Sequence, residues 1–86
     1  MNINELIAII KTKLENNFQI ENIKIDDKSF LHKNHKGNQD GKFHLKISLK
    51  SNQLKEMNKI ESNKKIFKIL DKEIKNFIHS IQILID

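Results

Sequence analysis

The chain has 86 residues, 37% of them hydrophobic and 31% charged, with a formal net charge of +5. That length supports one domain spanning 1–86, because two halves would each be too small to bury a core, and the apolar share is too high for a disordered tail. No cysteine is present, which excludes disulfides, thiolate catalysis and all-cysteine metal sites.

The first residues, MNINELIAIIKTK, have no basic stretch before their apolar residues, no small-residue cleavage site and no arginine. Neither a secretory signal nor a transit peptide is expected, and the expected location is cytoplasmic. Apolar runs such as Ile7-Ala8-Ile9-Ile10 are too short to cross a membrane. Ile3, Leu6, Ile7, Ile10 and Leu14 recur at helical spacing, and Asn2 with Glu5 has the form of a capping box. The spacing predicts an amphipathic helix over 3–16 that ends at Asn16-Asn17.

Ile23 and Ile25 then alternate with Lys24 and Asp26, predicting a half-buried strand over roughly 20–27. The segment from Lys28 to Gly41 is aperiodic and rich in Asn, Gly, His and Lys, the composition of a loop. Phe43, Leu45, Ile47 and Leu49 alternate with His44, Lys46, Ser48 and Lys50, which is the clearest strand pattern in the chain. Two strands flanking one long connection suggest an antiparallel pair.

Leu54, Met57 and Ile60 follow at three-residue spacing, as in a short irregular helix. Ser62 is placed to cap the main helix, whose buried stripe is expected to be Ile66, Phe67, Leu70 and Ile74. Phe77 to Ile83, FIHSIQI, reads as a third strand. The order α-β-β-α-β points to an α+β sandwich of two layers, with helices on one face of a small sheet. Such a core is small, and it gains from a partner or from a second copy in a weak homodimer.

Three of the four histidines (His32, His35 and His44) and both glycines fall between Phe30 and Ile47, and the fourth, His79, lies in the last strand. With no cysteine, a metal here needs His, Asp or Glu, or thiolates lent by another molecule. By position alone His79 shares strand parity with Ile81 and Ile83, as a half-buried, hydrogen-bonded histidine would. His35 reads equally as a solvated loop residue, and His44 as a residue of the polar strand face.

The segments S62-NKKIFKIL-70 and L70-DKEIKNFIHSIQI-83, taken with K42-FHLKI-47, resemble the BolA family of small bacterial and organellar proteins. The resemblance covers almost the whole chain. It includes Phe18, Asp27 and Ser29 at the end of the first strand, His44, Leu54, Ile60, Leu70 and the Ile78-His79 pair. Two positions depart from it. Family members usually carry Arg-His-Arg where this chain has Ser62-Asn63-Lys64, and Phe and Gly where it has Leu54 and Glu56.

The resemblance implies a three-stranded mixed sheet similar to a class II KH domain, and a heterodimer with a monothiol glutaredoxin that shares a 2Fe–2S cluster. On that pattern the partner supplies a cysteine and a bound glutathione thiolate. This chain would supply His79 and a loop ligand best matched by His35, with His44 as a substitute and His32 as a bystander. A pair of imidazoles on one iron is known chemistry from Rieske centres. A chain without thiolate can hold such a cluster only as half of a shared site, and the isolated chain is expected to hold none. Because imidazole must be deprotonated to bind iron, occupancy should fall at acid pH.

The rival reading is a DNA-binding transcriptional regulator. All sixteen Lys and Arg residues are lysine, and Lys64, Lys68, Lys72 and Lys75, with Lys65 beside them, are spaced to line one helix face. Such a face can contact phosphate, although a solvated surface has the same pattern. With Ser62 as the cap, Lys64 and Lys65 sit at the unfavourable, positive end of the helix dipole. Arginine, the bidentate reader of guanine, is missing, and Gly37 and Gly41 do not form the Gly-x-x-Gly clamp of a KH module. An enzyme is not expected. There is no activated nucleophile or phosphate loop, and Asp26 and Asp27 are adjacent on a strand and so face opposite ways.

Overall fold

A computed structural model describes residues 2–28 and 42–86. The elements run α1 (Ile3–Asn17), β1 (Asn22–Asp27), β2 (Phe43–Lys50), α2 (Asn52–Glu56), α3 (Lys59–Ile69), α4 (Asp71–Phe77) and β3 (Ile78–Ile85). The predicted 28–41 loop, with its two histidines, falls almost entirely outside the described residues.

Helix α1 begins where Asn2 accepts the backbone N–H of Glu5 at 2.9 Å, while the Asn2 amide reaches the Glu5 carboxylate at 3.1 Å. The N-cap half of the capping box read from the sequence is therefore made, while the Glu5 carboxylate takes the Asn2 side-chain amide in place of its backbone N–H. Leu6, Ile10 and Leu14 are wholly buried on its inner face. Lys13, one residue before Leu14, holds the buried carboxylate of Glu73 on α4 with 2.8 Å contacts to both oxygens, pinning α1 to α4.

The sheet order is β1-β2-β3, with β2 central. β1 pairs antiparallel with β2, Ile25 facing Ile47, and β2 pairs parallel with β3, Ile47 facing Ile83. Parallel pairing requires a crossover, which α2, α3 and α4 supply. Leu45, Ile47 and Leu49 point into one core shared with Leu6, Ile10, Leu14, Leu54, Ile66, Leu70 and Ile78. This is the two-layer α+β arrangement expected from the element order.

The crossover departs from expectation in three ways. The main helix starts at Lys59, not at Ser62, and its cap is Asn58, whose side chain accepts the Glu61 N–H at 2.8 Å. Ser62 instead lies one turn inside α3, 1% exposed, its hydroxyl donating to the Lys59 carbonyl at 3.2 Å. A hydroxyl satisfied by the preceding turn can sit in a core that has no other polar partner for it. Asn58→Ala should therefore lower stability by about 1 kcal/mol in urea unfolding, the usual worth of such a cap. Ser62→Asp, which would strengthen a true cap, should instead destabilise by placing a charge in the core.

Second, the helical path is interrupted at Leu70, whose backbone (φ −96°, ψ 12°) separates α3 from α4. The Leu70 N–H still reaches the Ile66 carbonyl at 3.0 Å, and the Ile74 N–H reaches the Leu70 carbonyl at 2.9 Å. Apolar spacing runs through the break because Ile66 and Leu70 are both wholly buried. Third, Phe67 is 41% exposed. The inner stripe of α3 runs in steps of four from Ser62 to Ile66 to Leu70, and Phe67 lies about 100° around the helix from Ile66.

Candidate metal-ligand site at a β-bulge

The β2-β3 register slips at one end of the sheet. Phe43 faces Ile78, but His44 faces Ser80, so His79 has no partner residue on β2. Two residues of β3 stand there against one of β2, the definition of a bulge, and a bulge re-aims side chains. Ile78 is buried in the core, whereas His79 and Ser80 are both exposed. Beyond the slip normal alternation resumes, with Ile81, Ile83 and Ile85 packed against the core. The parity that grouped His79 with Ile81 and Ile83 is thus broken at the bulge, and His79 is an exposed residue, not a half-buried one.

The bulge brings His79 to His44, their ring centroids 4.8 Å apart and the planes tilted by 32°. His44 lies on the polar parity of β2 but is 5% exposed, because it occupies the central strand with His79 over it. Its Nδ1 lies 2.7 Å from the Ser80 hydroxyl oxygen. Its carbonyl accepts the Lys28 N–H at 2.7 Å. A shallow cleft lined by Lys28, His44, Lys46, Ser80 and Gln82 adjoins the pair, with a volume of about 260 Å³.

The other sequence-derived candidates fall into two groups. His35 and His32 lie outside the described residues. The segment that carries them runs between Lys28, bonded to the His44 carbonyl, and Lys42, whose ammonium donates to the Lys75 carbonyl at 3.5 Å. Both flanks are therefore held at the bulge end of the sheet. Among the described residues no three His, Asp or Glu side chains converge on one metal position. The donor set drawn from them is two adjacent imidazoles with no thiolate. Of that set only His79 is exposed, so it can offer imidazole nitrogen to one iron of a cluster with His44 buried behind it, and the remaining ligands would come from elsewhere.

Lys64, Lys65 and Lys68 are exposed on α3, and Lys72 and Lys75 are exposed on α4. They are carried by two helices and not by one, because the break at Leu70 falls between Lys68 and Lys72. Lys64 and Lys65 are also mid-helix, since α3 starts at Lys59, so the dipole penalty expected for them does not arise. Asp71 interrupts the basic surface and pairs with Lys75 at 3.1 Å. The turn between α2 and α3 is Met57-Asn58, without glycine.

Sequence reasoning named His44 and His79 but missed Ser80. A serine following a histidine on a strand points to the opposite face by simple alternation, and only the bulge lets the two act on the same neighbour.

Comparison with known proteins agrees with this architecture. The family model described as BolA-like protein matches residues 14–85. A relative from Haemophilus influenzae, named DNA-binding transcriptional regulator BolA, is 27% identical over 73 residues, covering 85% of this chain and 68% of its own length. The BolA domain of SufE1 from Arabidopsis thaliana superposes with a TM-score of 0.78 at 20% identity, covering 100% of this chain and 93% of that one. BolA1 from the same plant gives 0.77 at 22% identity, covering 92% and 87%. At these identities the two solved structures speak to the fold alone.

Proposed function

We propose that this chain, which belongs to the BolA family, is a non-enzymatic accessory protein that shares a 2Fe–2S cluster with a monothiol glutaredoxin in cytoplasmic cluster trafficking or iron regulation. The observation that carries this reading is the His79 ring, exposed at a bulge and set 4.8 Å from the ring of buried His44. An exposed imidazole on a strand is held by the sheet yet reachable by a second protein, which is what a ligand shared across an interface requires.

The division of ligands is the one the family resemblance implies, with the partner's cysteine and bound glutathione supplying sulfur. It suits a chain that has no thiolate and can offer only nitrogen or oxygen donors. His79 is the anchored ligand. The second is His35, from the segment whose flanks Lys28 and Lys42 are held at the same end of the sheet, with His44 as the substitute. When bound, the cluster supplies reversible one-electron chemistry and transferable iron, and imidazole ligation raises its potential relative to thiolate.

A second reading has one observation in its favour. The Haemophilus influenzae relative is named a DNA-binding transcriptional regulator, and Lys64, Lys65, Lys68, Lys72 and Lys75 are exposed here. The Asp71–Lys75 pair and the lack of arginine weigh against specific readout.

Visible circular dichroism separates the two. Mixing with a cluster-loaded monothiol glutaredoxin should change the cluster spectrum, and His79→Ala should abolish the change. An unchanged spectrum on mixing, or the same spectrum for both variants, would sink the shared-cluster reading. In parallel, duplex DNA titrated at low and moderate salt should bind weakly and without sequence preference. A nanomolar, sequence-dependent affinity that survives His79→Ala would establish the regulator reading instead.

A further inference from the structure

His79 and Ser80 are consecutive residues of β3, yet both engage His44, which ordinary strand alternation forbids. The ring of His79 packs on that of His44, and the Ser80 hydroxyl sits 2.7 Å from Nδ1 of the same ring. The three side chains therefore close a triangle: a peptide bond joins 79 to 80, a hydrogen bond joins 80 to 44, and a ring contact joins 44 to 79.

A lone imidazole contact between strands leaves the ring free to rotate about χ2, where the torsional wells are broad. A hydrogen bond at a ring nitrogen adds a directional restraint to the packing around it. Serine oxygen both donates and accepts, so it serves either neutral tautomer. What the contact fixes is therefore the orientation of the ring and not the location of its proton.

Glu73, the other buried polar group of comparable size, is held by Lys13 through both carboxylate oxygens. We propose that Ser80 is a positioning residue: by anchoring His44 through Nδ1 it makes that ring a fixed backing plate, and the plate sets the orientation in which His79 meets a shared iron site. This role rests on the shared-cluster reading for its purpose, but the orienting contact itself is a property of the chain alone.

Ser80→Ala and Ser80→Thr separate the contact from the fold, because Ser80 is exposed and its loss removes little buried volume. In the chain alone, ring-proton nuclear Overhauser contacts between His44 and His79 should be strong in the wild type, lost in Ser80→Ala and restored in Ser80→Thr. The urea midpoint should stay close to wild type in Ser80→Thr and fall only modestly in Ser80→Ala, which loses a hydrogen bond to a buried ring nitrogen, so both variants remain folded. In the complex with a cluster-loaded monothiol glutaredoxin, Ser80→Ala should release the cluster to a chelator about ten-fold faster, the usual scale for losing a group that orients a metal ligand. Ser80→Thr should return the rate towards wild type.

Retention of the ring contacts in Ser80→Ala would overturn the proposal, as would a failure of Ser80→Thr to restore them. Wild-type cluster release from Ser80→Ala would overturn its role at the iron. If His79→Ala itself leaves the cluster spectrum unchanged, it is the shared-cluster reading that fails, and the ring contacts then decide the orienting role by themselves.

Discussion

Ile47→Ala should lower the unfolding free energy by about 4 kcal/mol, towards the upper end for truncating a large aliphatic side chain in a core. Ile47 is wholly buried at the middle of the central strand, with Ile25 opposite it on β1 and Ile83 opposite it on β3. Neither neighbour can move into the vacated space without giving up its own pairing, so the cavity persists and the cost stays high. Proteins are stable by roughly 0.05–0.15 kcal/mol per residue, so a chain this short has on the order of 4–13 kcal/mol in total. The variant is then expected to be marginal at room temperature, with a urea midpoint far below wild type and an unchanged slope. Ile47→Val, which removes one methylene group, should cost about 1 kcal/mol. A loss below 1 kcal/mol for the alanine variant would mean that the core is not centred on β2.

The two histidines at the bulge should respond to alanine in opposite ways. His79 is exposed, so His79→Ala should leave the urea midpoint within about 0.5 kcal/mol of wild type while removing the cluster-dependent spectral change. His44 is 5% exposed and meets the Ser80 hydroxyl. Its removal leaves a cavity in the central strand and takes away a hydrogen-bond partner, at a combined cost of about 2–3 kcal/mol. Equal stability losses for the two variants would refute the division into an accessible ligand and a buried support. The contrast also guards the functional test, because a spectral change lost in a folded His79→Ala protein cannot be attributed to unfolding.

Much of the architecture was legible in the residues. The helix cap at Asn2, the alternation from Phe43 to Lys50 and the antiparallel β1-β2 pair all followed from local pattern, and the structure has them. Local patterns failed where two signals of similar strength compete. Asn58 and Ser62 are both good caps, and burial of Ser62 against the core decides between them. Ile66 and Phe67 are adjacent apolar residues, and only the four-residue step between buried positions shows which one faces inward. The interruption at Leu70 leaves the apolar spacing intact and so leaves no trace in the pattern.

The histidine site was legible in its members and not in its geometry. His79 and His44 stood out by chemistry, and family resemblance singled out His79. Their meeting depends on a slip of one residue in register between Phe43 and His44, which no composition or spacing in β3 announces. Ser80 was overlooked for the same reason, since its partner lies 36 residues away in the chain.

The order in which the sheet is assembled has a consequence for when the site exists. β1 and β2 are near neighbours in sequence, but β3 joins only after the crossover through α2, α3 and α4 has been made. Until that final strand docks, His44 has neither Ser80 nor His79 beside it. A chain still emerging from the ribosome, or one whose β3 has locally unfolded from the sheet edge, therefore carries its two imidazoles apart. The histidine pair is a product of completed folding, and on the proposed reading a shared cluster can be held only by molecules whose last strand is in place.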